Sequence, residues 1–216
     1  MTDPIKQQGF SLIEMAVVLV IVGLLVTGLL LPLSAQIDQR NLNETQRELS
    51  EIREALIGFS LSSTAVNGNP FIPCPDTNGD GFEDRLAGIC INPVGGLPWA
   101  TLGLGRADRW SNPYVYRVTL AFANSNTGFD LATPRDIQVL SEAGGAVIAT
   151  NLPAIVVSKG KTGAGAGASE VENSDGDTTF VDRTPTNAGA NAYDDVVVWL
   201  PSAILFNRMV AAGRLP

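Results

Sequence analysis

The 216-residue sequence has no histidine, only two cysteines, few aromatic residues and more acid than base. Without histidine there is no His-based triad, no imidazole general base and no imidazole metal ligand, so few routes to catalysis at neutral pH remain. No nucleophile elbow or comparable catalytic signature takes their place. The two cysteines, Cys74 and Cys90, suit one disulfide in an oxidising compartment, two buried free thiols being the alternative. Such a bridge closes a loop of about 15 residues and would contribute about 3 kcal/mol on the chain-entropy model. A net charge of -8 argues against binding a phosphate backbone, so nucleic acid is not an expected partner.

What the sequence does contain is one long apolar run. From Phe10 to Leu31 the only strongly polar side chain is Glu14. At about 1.5 Å rise per residue, a helix here is long enough to cross a hydrocarbon core of about 30 Å. A carboxylate at membrane depth costs a few kcal/mol and persists with a partner, for which an amine is the obvious choice. A cut between Gly9 and Phe10 would create that amine a few residues from Glu14.

The stretch Gly9-Phe10-Ser11-Leu12-Ile13-Glu14 resembles the prepilin cleavage and N-methylation motif shared by type IV pilins and the pseudopilins of type II secretion systems. The resemblance implies that a membrane-bound prepilin peptidase cuts after Gly9 and methylates Phe10, leaving Glu14 fifth in the mature chain for assembly. A secretory signal would instead carry its cleavage site after the apolar segment, with small residues around it. The polar leader, residues 1–9, has Lys6 as its only cation, which points it toward the cytoplasm and the body to the far side. Asp3 and Lys6 cancel, so the mature chain keeps the charge of -8.

Gly23, Gly28 and Pro32 weaken the apolar helix and predict a kink or melted turn there. Beyond Pro32, Leu42, Leu49, Ile52, Leu56 and Phe59 recur at helical spacing among polar residues. The pattern predicts one helix from Phe10 to about Ser62, with 10–32 as its transmembrane and assembly part, ended by Ser62-Ser63 and Asn67-Gly68-Asn69-Pro70. Residues 63–216 form the globular body. Short apolar runs at Tyr114 to Leu120, Ile137 to Leu140, Ala146 to Thr150, Ala154 to Ser158 and Asp195 to Leu200 read as strands of an antiparallel sheet. Pro201 to Gly213 reads as a short amphipathic helix with apolar Ile204, Leu205, Met209 and Val210. Gly160 to Gly167 reads as a flexible loop, because the early glycine of a phosphate-binding loop would fall on Ile155. Trp99, Trp110 and Trp199 read as core residues, with a binding cluster as the alternative.

Two acidic stretches are candidate metal sites. In Asp76-Thr77-Asn78-Gly79-Asp80-Gly81-Phe82-Glu83-Asp84, oxygen side chains alternate around a glycine where a Ca²⁺ loop turns sharply. Asp76, Asn78 and Asp80 would supply side-chain oxygens, Phe82 its carbonyl, and Asp84 a direct or water-mediated contact. Ala87 stands where the full loop has its bidentate glutamate, and a solvated set of Asx turns is the alternative reading. The second stretch is Asn173-Ser174-Asp175-Gly176-Asp177, followed by Tyr193-Asp194-Asp195-Val196-Val197-Val198-Trp199. The latter segment resembles one in major pseudopilins where an aspartate pair before a strand helps hold a structural calcium, which implies Asp194 and Asp195 as ligands. Trp110-Ser111-Asn112-Pro113-Tyr114 likewise resembles the family's Trp-Gly-Asn-Pro-Tyr segment, with Ser111 in place of the glycine. Oxygen ligands without histidine favour Ca²⁺ over Zn²⁺.

The sequence therefore predicts an α+β pilin-like subunit, a long N-terminal helix packed on an antiparallel sheet with long loops. The resemblance implies a non-catalytic minor pilin or pseudopilin of a type IV pilus or type II secretion system. It would be held in the bacterial inner membrane with its body in the periplasm before joining other pilin subunits. A signal-anchored periplasmic enzyme is the rival reading.

Overall fold

The computed structural model describes residues 11–163, 165–187 and 189–216, and the expected cleavage point between Gly9 and Phe10 lies outside them. Helix α1 spans Leu12–Ser62 without a break, so Gly23, Gly28 and Pro32 do not melt it as expected. Two compact units are distinguished, Met1–Asn41 and Leu42–Pro216. In the first, the described apolar side chains from Leu12 to Leu25, and Ile37, are exposed, Leu12 at 89% and Leu19 at 68%. Among the described residues no helix is long and apolar enough to cross a membrane. The side chains of residues 26–33, inside the expected 10–32 span, lie outside the described set.

In the second unit the later turns of α1 supply one wall of the core. Leu49, Ile52, Leu56 and Ile57 are each no more than 2% exposed, at the helical spacing that puts them on one face. They pack with Tyr114, Tyr116, Val118, Val156 and Leu200. The strands are β1 (Arg85–Leu86), β2 (Ile89–Cys90), β3 (Val94–Gly96), β4 (Val115–Val118), β5 (Ile137–Leu140), β6 (Val147–Leu152), β7 (Ala154–Ser158), β8 (Thr179–Val181) and β9 (Val196–Leu200). Three further helices are α2 (Trp99–Leu102), α3 (Ala168–Glu172) and α4 (Ser202–Ala211).

The main sheet has the order β3-β4-β7-β9 and is antiparallel throughout. Side chains alternate across a strand, so Ala154 and Val156 of β7 face the α1 core while Ile155 and Val157 face a second core. That second core is closed by Ile137, Val139, Leu152 and Phe180 from the sheet β6-β5-β8. Buried on both faces, β7 is accordingly the continuous apolar run Ala154-Ile155-Val156-Val157, closed by buried Ser158. The expected antiparallel sheet is thus two main sheets, and one pair, β5 with β8, runs parallel. A parallel partner needs a long crossover, and the chain from β5 to β8 passes through β6, β7 and α3. In α4 Leu205 and Met209 are buried in the core and Phe206 packs against it, while Ile204 and Val210 are 41% and 46% exposed.

Candidate functional site

The first turn of α1 is closed by a reciprocal pair of hydrogen bonds. The Glu14 backbone N–H donates to Ser11 Oγ at 3.3 Å, and the Ser11 N–H donates to Glu14 Oε2 at 2.8 Å. This is a capping box, which satisfies two N–H groups that have no partner inside the helix. It also sets a carboxylate at the positive end of the helix dipole. The regular helix accordingly begins at Leu12, immediately after Ser11.

In the body, Cys74 and Cys90 are joined in a disulfide, with their Cα atoms 5.3 Å apart. It pins the loop that carries the first acidic stretch. Asp76 is 4% exposed and turns both carboxylate oxygens inward. Its Oδ1 accepts from the Asn78 and Gly79 N–H groups at 3.1 and 2.6 Å, and its Oδ2 from the Gly81 N–H at 2.7 Å. Asn78 and Asp80 each cap the N–H two residues on, that of Asp80 at 2.9 Å and of Phe82 at 2.8 Å. Asp84 Oδ2 accepts from the Thr77 hydroxyl and N–H, both at 2.6 Å, which holds its carboxyl below the usual range. The Phe82 side chain is 59% exposed. The loop has the geometry of successive Asx turns, and Asp76, Asp80 and Asp84 are not among the described groups of carboxylates that converge.

The second stretch does converge, with a member that sequence reading missed. Ligand oxygens of Glu170, Asp194 and Asp195 all lie within 4.8 Å of one another. Glu170 is 2% and Asp195 4% exposed. Glu170 Oε1 accepts from the Asp194 N–H at 3.1 Å and its Oε2 from the Gly167 N–H at 3.1 Å. Asp194 is held by Thr162, whose N–H and hydroxyl donate to its two oxygens at 2.8 Å each. Asp195 Oδ2 accepts from Asn173 Nδ2 at 2.8 Å. Burial pushes the Asp195 carboxyl up to about 7, and the charges of Glu170 and Asp194 add to the rise, while the Asn173 hydrogen bond and Lys159 work against it. Hard oxygen donors of this kind suit a Ca²⁺ or similar cation. Glu172, Asp175 and Asp177 form a second, more exposed group.

Residues 5–30 match the family model described as the prokaryotic N-terminal methylation motif. The chain carries a prepilin-type signal. This is the signal of type IV pilin and pseudopilin precursors, and it implies processing by a prepilin peptidase and assembly with other pilin subunits. No curated protein and no solved structure matches the chain.

In this chain Gly160, Thr162 and Gly165, in the segment expected to be a flexible loop, clamp the acidic site. A side chain at Gly160 would stand 2.2 Å from the Asp194 carbonyl oxygen, and one at Gly165 would stand 1.6 Å from Glu170 Oε2. The glycines are there for close approach. Asn112 extends the support, its Nδ2 donating to the Gly160 carbonyl at 2.6 Å. Asn112 is itself fixed by buried Asp108, whose Oδ1 accepts the Trp110 and Asn112 N–H groups at 2.9 Å and whose Oδ2 accepts the Ser158 hydroxyl at 2.5 Å. Ser111 has φ +69°, the left-handed conformation that a glycine adopts freely. The one sequence signal for Glu170 was its place three residues after Gly167 at a helix start, where a carboxylate reaches back to a free N–H.

Proposed function

We propose that this chain is a non-catalytic pilin-like structural subunit, a minor pilin or pseudopilin. It is cut between Gly9 and Phe10, methylated on Phe10, held in the inner membrane by residues 10–32, and then drawn into a type IV pilus or type II secretion pseudopilus. The observation that carries the reading is the methylation motif matched at residues 5–30. The capping box at Ser11 and Glu14 supports it, since it fixes the Glu14 carboxylate in the first turn of the helix, a few residues from the proposed new amine. Extraction from lipid is offset by burying the apolar helix among neighbouring helices, and Glu14 pairs with a neighbour's new amine to set the register. Mass spectrometry of the mature chain should find N-methylphenylalanine from Phe10. Met1 retained in assembled protein would overturn the reading.

Within this function Glu170, Asp194 and Asp195 hold a structural Ca²⁺, while the Asp76 loop serves as a disulfide-pinned turn. The support is the convergence of oxygen donors, two of them buried, around one point. A cation bound only to the folded chain at about 100-fold excess over its Kd adds roughly 2.7 kcal/mol. Calcium should therefore raise the melting temperature of the full chain in detergent and EDTA lower it. Glu170→Gln and Asp195→Asn should flatten the response, whereas Asp80→Ala should leave it intact. Melting indifferent to millimolar calcium would remove the metal from the account.

A further inference from the structure

The chain has 22 carboxylates against 14 cations, so an arginine without a partner is unexpected. Among the described residues every other arginine or lysine has a hydrogen bond, an ion pair, a ring or an opposite charge beside it. Arg106 alone has none of these. It lines a cleft of about 460 Å³ with Trp99, Asn92, Asp76, Gly95 and Gly96. Small-molecule sites run from roughly 300 to 1,000 Å³ and combine an apolar wall with a few polar groups.

The free side-chain hydrogen-bonding capacity of this cleft is one-sided. Both oxygens of Asp76 are spent on backbone N–H groups. The Gly96 N–H and carbonyl are tied to the backbone of Asp76 at 2.7 and 3.0 Å. Asn92 Oδ1 accepts from the Val94 N–H at 3.1 Å, which leaves its Nδ2 hydrogens unused. The Trp99 indole N–H has no acceptor among the described residues, and the ring is half-buried. The side-chain capacity left over is the Arg106 guanidinium, an amide and an indole, all donors, beside one aromatic ring. Such a cleft matches a ligand rich in acceptors that carries a single negative charge. A guanidinium presents parallel donors that a carboxylate accepts in bidentate fashion. A polyanion is disfavoured, because there is one cation here and the chain around it is acidic.

We propose that this cleft binds a carboxylated sugar, its carboxylate on Arg106, its ring against Trp99 and a hydroxyl on Asn92. The proposal does not rest on the pilin-like reading, and N-terminal processing is measured independently of it. The test is calorimetric titration of the full chain in detergent micelles with glucuronate, followed in parallel by tryptophan fluorescence, with glucose and acetate as controls. Saturable binding of glucuronate is expected, at least tenfold tighter than glucose or acetate. Arg106→Gln should weaken it at least tenfold without changing the unfolding midpoint, since Arg106 is exposed and unpaired. Trp99→Phe should abolish the fluorescence change and retain a weaker heat. Absence of saturable heat with glucuronate, equal affinity for acetate or glucose, or unchanged affinity in Arg106→Gln would each overturn the proposal.

Discussion

The clamp around the acidic site yields the sharpest prediction. Gly160 has φ +55°, and an added Cβ would meet the Asp194 carbonyl oxygen at 2.2 Å and its Cγ at 2.8 Å. Gly176 provides the matched control, with φ +82° and nothing within 4 Å of an added Cβ. Any non-glycine residue pays about 1 kcal/mol for the left-handed backbone, so Gly176→Ala should lose that and no more. Gly160→Ala pays the same and must also push apart the two backbone segments that hold Asp194, for which overpacking costs about 1 to 3 kcal/mol more. One kcal/mol corresponds to about 2 to 4 °C for a body of this size. Scanning calorimetry of the full chain should therefore show a drop of about 3 °C for Gly176→Ala and about 6 to 12 °C for Gly160→Ala. Repeating both scans with calcium adds a second readout, because only Gly160→Ala displaces a proposed ligand and should blunt the response. Equal shifts for the two variants, with calcium acting equally on both, would refute the claim that this glycine segment is a clamp.

Two further outcomes concern the disulfide and the strained serine. Reducing the Cys74–Cys90 bridge, with 16 residues of separation, should cost about 3 kcal/mol, read as a lower denaturant midpoint with an unchanged folded-state spectrum. Ser111→Gly should stabilise by up to about 1 kcal/mol by relieving the φ of +69°, visible as a higher melting temperature; a lower one would mean that the serine side chain contributes something the backbone geometry does not account for.

Much of the fold is legible in local patterns because burial on one face leaves a period in the sequence. The stripe of Leu49, Ile52 and Leu56 is the buried face of α1, and Ile137 to Leu140 and Ala154 to Ser158 are β5 and β7 to the residue. Elements with weak or no periodicity were missed. Strand β3 contains two glycines, Gly95 and Gly96, and α2 and α3 are four and five residues long. Short elements like these are specified by what packs on them more than by their own propensity.

The candidate sites divide along the same line. The sequence alone determined the methylation signal, the apolar helix behind it and the pairing of the only two cysteines, since each depends on residue types at fixed short spacing or on there being no other partner. The tertiary structure alone decided which carboxylates converge. Asp76, Asp80 and Asp84 alternate as a cation loop would require, yet Asp76 spends its oxygens on N–H groups two to five residues ahead. Glu170 stands 24 residues before Asp194 and is brought to it by a hydrogen bond to the Asp194 N–H, beside Gly160, where an added Cβ would stand 2.2 Å from the Asp194 carbonyl oxygen. A carboxylate's partner is set by where the backbone places donors in space, and that placement comes from packing between segments distant in the chain.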